Sequence, residues 1–111
     1  MEVGFSSPHI AKVCSNAGLR VRRLGPERAD KVLRRLDQMT AAYDLAEFRD
    51  LPQARCHQLK GDLDEQFSVD LDGPYRLLFE VADVPIPRLP DGGIDLKSVR
   101  AIRIIDIQDT H

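Results

Sequence analysis

Tryptophan is absent from the 111-residue sequence, aromatic side chains make up only 5% of it, and cysteine occurs twice, as Cys14 and Cys56. Two cysteines outside any C-x-x-C pair cannot build a disulfide framework, which suits a reducing compartment and sets the expectation of a cytoplasmic protein. No apolar run reaches the ~18–20 residues that a membrane span requires. The N-terminus lacks the basic stretch, apolar block and small-residue cleavage site of an export signal, so a membrane is not among the expected partners. Also missing are a Gly-rich phosphate loop leading into a helix, G-x-S-x-G and H-E-x-x-H, which excludes the common nucleotide-binding, serine-hydrolase and zinc motifs. A large excess of one charge is lacking too. The net charge of −2 argues against a protein that coats nucleic acid through bulk charge.

What is present fits one globular domain over residues 1–111. A composition of 42% hydrophobic and 31% charged residues supports a single core at this length. The charge is unevenly spread. Residues 1–60 hold 11 basic and 7 acidic side chains, a balance of +4, whereas residues 61–111 hold 5 and 11, a balance of −6. The early excess, built from Arg20, Arg22, Arg23, Arg28, Lys31, Arg34 and Arg35, reads either as a solvated helix face or as a local basic patch.

The period of the apolar residues changes along the chain. Met1 to Phe5 reads as a short strand, and Ser7-Pro8 opens a brief helix to about Ser15, with Gly18 as its punctuation. A long helix starts at Gly25-Pro26. Its Ala29, Val32, Leu33, Leu36, Met39 and Tyr43 recur at spacings of three and four and share one face, and the arginines mostly project elsewhere. Asp44 to Arg49 forms one further turn before Pro52. From Arg55 the pattern becomes strand-like. Phe67 to Leu71 and Tyr75 to Val81, joined at Asp72-Gly73-Pro74, predict an antiparallel hairpin. Residues 82–98 carry too many Pro and Gly breakers for regular structure, and Val99 to Ile107 reads as a final, central strand with apolar residues on both faces. The expected class is α+β, with N-terminal helices packed on a small, mainly antiparallel β-sheet of three to five strands.

The chemistry-bearing residues attach to the sheet. His57 and Lys60 stand at its first strand, Arg76 interrupts an apolar strand, and Asp109-Thr110-His111 follows the last one. On the residues alone, His57 is a sheet-edge histidine or a catalyst, and Arg76 is a salt-bridge partner of Asp70 or Glu80 or a ligand clamp. A zinc site of His57, Asp109 and His111 has the right donors but no recognised spacing, so neither a metal nor another cofactor is expected.

Arg55-Cys56-His57-Gln58-Leu59-Lys60-Gly61-Asp62, Gln66-Phe67-Ser68-Val69, Pro74-Tyr75-Arg76-Leu77-Leu78-Phe79 and the terminal Asp109-Thr110-His111, in that order, resemble the HigB-like killer toxins of the RelE/ParE superfamily. The resemblance takes in the helix ending near Tyr43 and the Asp44-Leu45-Ala46 segment, and so covers nearly the whole chain. It implies a RelE/ParE-like fold and the toxin of a type II toxin–antitoxin system. The implied activity is a ribosome-dependent mRNA endonuclease that inhibits translation and growth. In its metal-free chemistry the ribose 2′-hydroxyl attacks the adjacent phosphate.

The resemblance further implies that Arg76 clamps the nonbridging oxygens and that Lys60 adds a second cation. His57 and His111 would form the acid–base pair, with Asp109 orienting one of them. Arg20, Arg22, Arg23, Lys31, Arg34, Arg35 and Thr110 are the expected RNA and ribosome contacts. The family commonly ends in Asp-Tyr-His; here Thr110 stands in the tyrosine's place and keeps a hydroxyl without a π-face, which bears on base preference and rate. The implied partners are a helix-turn-helix, HigA-like antitoxin, mRNA on the ribosome, and operator DNA only through the antitoxin. The first helices and the 82–98 loop are the expected docking surface. The alternatives are a ParE-like inhibitor of DNA gyrase without nuclease activity and a non-toxic, antitoxin-binding member of the family.

Overall fold

In the computed structural model, which describes residues 1–61 and 65–109, side-chain caps set the helix boundaries. After strand β1 (Glu2–Phe5), helix α1 (Pro8–Ser15) starts where the Ser7 hydroxyl accepts from the Ile10 amide at 3.2 Å. The break expected at Gly18 lies two residues earlier. The Asn16 amide donates to the Lys12 carbonyl and closes α1, while its side-chain oxygen accepts from the Leu19 amide at 2.9 Å and opens α2 (Ala17–Leu24). One asparagine thus caps two helices, and Gly18 sits inside the first turn of the second. Helix α3 (Pro26–Ala41) begins at Pro26 after Gly25, whose φ of 82° is a glycine conformation. The short α4 (Leu45–Arg49) is capped by the Asp44 carboxylate, which accepts from the Glu47 amide at 2.8 Å.

The sheet has five strands in the order β1-β5-β4-β3-β2. Strands β2 (His57–Gln58), β3 (Gln66–Asp70), β4 (Tyr75–Val81) and β5 (Ala101–Asp109) pair antiparallel in succession, and β1 pairs parallel with β5. The hairpin falls where the sequence pattern puts it, and β5 lies inside the sheet between β1 and β4, as its two-sided apolar character requires. Its pairing with β4 shifts between Leu78, opposite Asp106, and Phe79, opposite Ile104, so Ile105 is left as a bulge. A bulge moves every later side chain to the other face.

The helices cover one face of this sheet. Phe67, Val69, Leu77, Phe79, Val81, Ile102 and Ile104 form a buried layer with Ile10, Cys14, Val32, Met39, Leu45 and Phe48. The Phe79 ring stacks on Phe67 at 5.2 Å and meets Phe48 edge-on at 6.1 Å. The buried stripe of α3 is Ala29, Val32, Arg35 and Met39. Leu33 and Tyr43, expected on that face, are exposed, and the Arg100 guanidinium lies 4.2 Å over the Tyr43 ring. Residues 82–98 form no strand, yet they are fastened down. The Asp83 carboxylate accepts from the Arg100 and Ala101 amides, Arg88 pairs with Glu65, and Ile94 is buried in the core. Among the described residues no helix is long and apolar enough to cross a membrane.

Candidate active site

The face of the sheet turned away from the helix-packed layer carries polar side chains around the buried Ser68 and Leu78. Strand alternation places His57, Ser68, Leu78 and Asp106 in one row across β2 to β5, and Asp70, Arg76 and Gln108 in the next. His57 and Arg76 therefore share a face, two strands and two residues apart. That separation is roughly 12 Å between Cα atoms, a span that two extended side chains can close on a single phosphate group.

Arg76 is both ion-paired and within reach of solvent. Its Nε lies 2.9 Å from Asp70 Oδ1, and its Nη1 donates to the Gly73 and Tyr75 carbonyls, each at 2.9 Å. The Asp70 partner foreseen for it is thus present, and the side chain keeps 26% exposure. Asp70 has a second cation, because Arg55 Nε stands 3.4 Å from Oδ2. Arg55 adopts a left-handed backbone, φ 49°, which is uncommon for a residue with a side chain. Its carbonyl lies 3.2 Å from His57 Nδ1. A carbonyl only accepts, so this contact is made by the tautomer protonated at Nδ1 and leaves Nε2 as the basic nitrogen. Sequence reasoning had no role for Arg55, since nothing in residue order marks a left-handed arginine.

Beside His57 opens a cleft of about 330 Å³ lined by Arg49, Cys56, His57, Gln58, Phe67 and Leu96. Its cysteine is not a nucleophile. Burial pushes the Cys56 thiol up to about 12 against a small opposing pull from Arg49, and burial raises Cys14 to about 11 although Arg20 works against it. Native protein at pH 8 is therefore expected to react with neither iodoacetamide nor an aromatic disulfide, both thiols appearing only on denaturation; rapid labelling of the folded chain would contradict this. Folding also raises both thiols above their ordinary 9.0. The stability tied to them is complete below that value and is lost as pH climbs toward 11 and 12.

The other residues singled out in the sequence are scattered. Lys60 is exposed just beyond β2. Asp109 pairs with Tyr75, which packs against the core, so by alternation it lies on the helix-covered face and not with Arg76. Asp62, Thr110 and His111 fall outside the described residues. The basic patch is smaller than its sequence suggests, because two arginines serve the interior. Arg20, 8% exposed, donates to the Cys14 carbonyl. Arg35, 3% exposed, donates to the Asp70 carbonyl at 2.9 Å, the Gln53 carbonyl at 3.0 Å and Gln38 Oε1 at 3.0 Å. Burial, and after it the neighbouring Arg34, pull the Arg35 pKa down while Asp70 pushes back. Arg28 is held between Asp72, at 3.0 Å, and the Tyr75 ring. Arg22, Arg23 and Arg34 are exposed and Lys31 half-buried, so these four are what the surface keeps of the expected patch. No group of three metal-ligating side chains occurs among the described residues.

The family model described as HigB-like toxin, RelE-like toxin of type II toxin-antitoxin system HigB, matches residues 12–89. That span runs from α1 through β4 into the long loop. A comparison with curated proteins found no match.

Proposed function

This chain belongs to the HigB-like family of RelE-like toxins of type II toxin–antitoxin systems, and from that membership we propose that it cleaves mRNA on the translating ribosome. The observation that supports the reading best is the placement of His57 and Arg76 on the same face of the sheet, with the imidazole oriented by the Arg55 carbonyl. In this reading His57 Nε2 takes the proton of the ribose 2′-hydroxyl. The O2′–P bond forms and the P–O5′ bond breaks, giving a 2′,3′-cyclic phosphate and a 5′-hydroxyl. His111 returns a proton to O5′, while Arg76 and Lys60 offset the charge on the pentacoordinate phosphate. The nucleophile belongs to the substrate, so the residues need to supply only proton transfer and positive charge. Asp109 lies on the face opposite His57 and Arg76, so in this reading it does not orient His57. Arg22, Arg23, Lys31 and Arg34 are the helix cations left to meet the ribosome, and Thr110 would meet the base without stacking on it.

Family membership implies an antitoxin partner, and in this reading it is a HigA-like helix-turn-helix protein that also carries the pair to operator DNA. Action on the ribosome places the protein in the cytoplasm. Induction of the chain alone should arrest growth, stop amino-acid incorporation and leave transcripts cut within reading frames, all three reversed by co-expressing the antitoxin. Arrest with intact transcripts and loss of negative supercoiling would instead select a gyrase inhibitor.

A further inference from the structure

We infer that Arg55 and Arg76 form a two-guanidinium site for one RNA phosphodiester, in which Asp70 is a built-in competitor occupying the site until substrate arrives. The inference rests on the nuclease reading only for the identity of the ligand. Two guanidiniums share a single carboxylate, Arg76 through Oδ1 at 2.9 Å and Arg55 through Oδ2 at 3.4 Å, so the cluster keeps one uncompensated positive charge. The two oxygens of a carboxylate and the two nonbridging oxygens of a phosphodiester present a similar fork to guanidinium donors. The cations are therefore already set apart at a spacing that such an anion fits. Donors remain for it: among the described residues, Arg76 Nη2 and both terminal nitrogens of Arg55 carry no hydrogen bond.

The two arginines are unequal. Arg76 is anchored by the Gly73 and Tyr75 carbonyls, whereas the Arg55 side chain is 77% exposed and is free to swing with an incoming phosphate. The Arg55–Asp70 pair is weak because its guanidinium is so exposed, so substrate can draw Arg55 away from Asp70 while Arg76 stays anchored. Proximity to the chemistry follows from the backbone. The Arg55 carbonyl holds His57, which ties the mobile guanidinium and the imidazole to one residue in a left-handed conformation. A non-glycine residue in that region carries strain, and such strain concentrates at functional sites. Asp70 is accordingly a positioning residue, setting how tightly the strand is held.

The test uses full-length protein and a non-cleavable 2′-O-methyl RNA oligonucleotide, with binding followed by fluorescence anisotropy at low salt. Asp70→Asn keeps the shape and removes the competing charge, and it should tighten binding about three- to fivefold. On programmed ribosomes the same gain should appear in KM rather than in kcat. Arg55→Gly separates fold from binding. Glycine accepts the left-handed backbone without strain, so the melting temperature should hold or rise, while oligonucleotide affinity falls about tenfold and the salt dependence flattens by about one phosphate contact. Unchanged affinity in both variants would overturn the inference, as would weaker binding by Asp70→Asn. The oligonucleotide result stands apart from cleavage: wild-type protein that fails to cut ribosome-bound mRNA removes the nuclease reading, whereas the variant affinities alone decide this site.

Discussion

Replacing Arg76 by alanine is expected to lower ribosome-dependent mRNA cleavage by about 10²–10³-fold, the usual cost of removing one preorganised donor to a developing oxyanion. The fold should barely register the change. Arg76 lies at the turn end of the hairpin, and what it gives up is a solvent-accessible ion pair with Asp70 and hydrogen bonds to two carbonyls beside the turn. Water replaces those contacts, so the stability cost stays within about 1 kcal/mol. Arg76→Lys should recover only part of the rate, because a point charge cannot span Asp70 and phosphate as a planar fork does. Single-turnover cleavage alongside urea unfolding separates the two effects. A rate within threefold of wild type in Arg76→Ala would remove the guanidinium from the mechanism.

The second large effect is on stability. Arg35→Met should destabilise the domain by about 3 kcal/mol, a large share of a total on the order of 5–15 kcal/mol. Methionine fills much of the same space but leaves the Asp70 and Gln53 carbonyls without their donor, and these two groups tie α3 to the end of β3 and to the segment before β2. Loosening should begin there. Hydrogen exchange should therefore rise first at the β3 amide of Asp70, which donates to Ala54, and His57 should lose its fixed orientation with it. Arg34→Met, one residue away and paired only at the surface with Asp30, should cost less than about 0.5 kcal/mol. Equal unfolding midpoints for the two variants would show that Arg35 is no more than another surface cation.

These two arginines also mark where the sequence is readable and where it is not. Ser7-Pro8, Gly25-Pro26, Asp44 and the turn at Asp72-Gly73-Pro74 carry their own chemistry, and helices and hairpin begin at those points. A helical period, by contrast, cannot say which cation folds inward. Arg35 joins the buried stripe because two carbonyls from elsewhere in the chain, those of Asp70 and Gln53, converge on it together with Gln38 of its own helix. Arg20 does the same at the Cys14 carbonyl. Asp109 was out of reach for a different reason. Counting alternately along Val99 to Ile107 puts it on the outer face, but the bulge at Ile105 reverses the count. Arg76 stood out in the sequence because a charge within an apolar strand demands a partner or a ligand, whereas His57, in an exposed edge strand, was marked only by the family resemblance. Asp70 was one of two partners open to Arg76, and the strand register selects it over Glu80; Arg55 emerges only from the fold.

Cleavage of mRNA on the ribosome by 2′-hydroxyl attack is read from the chemistry of the cut ends. Purified protein should be added to elongating ribosomes carrying one end-labelled mRNA, and to the same mRNA alone. Cuts should appear only on the ribosome, within the reading frame, with an upstream 2′,3′-cyclic phosphate and a downstream 5′-hydroxyl that accepts label without prior phosphatase treatment. Intact mRNA on ribosomes saturated with protein, or cut ends bearing a 5′-phosphate, would contradict it.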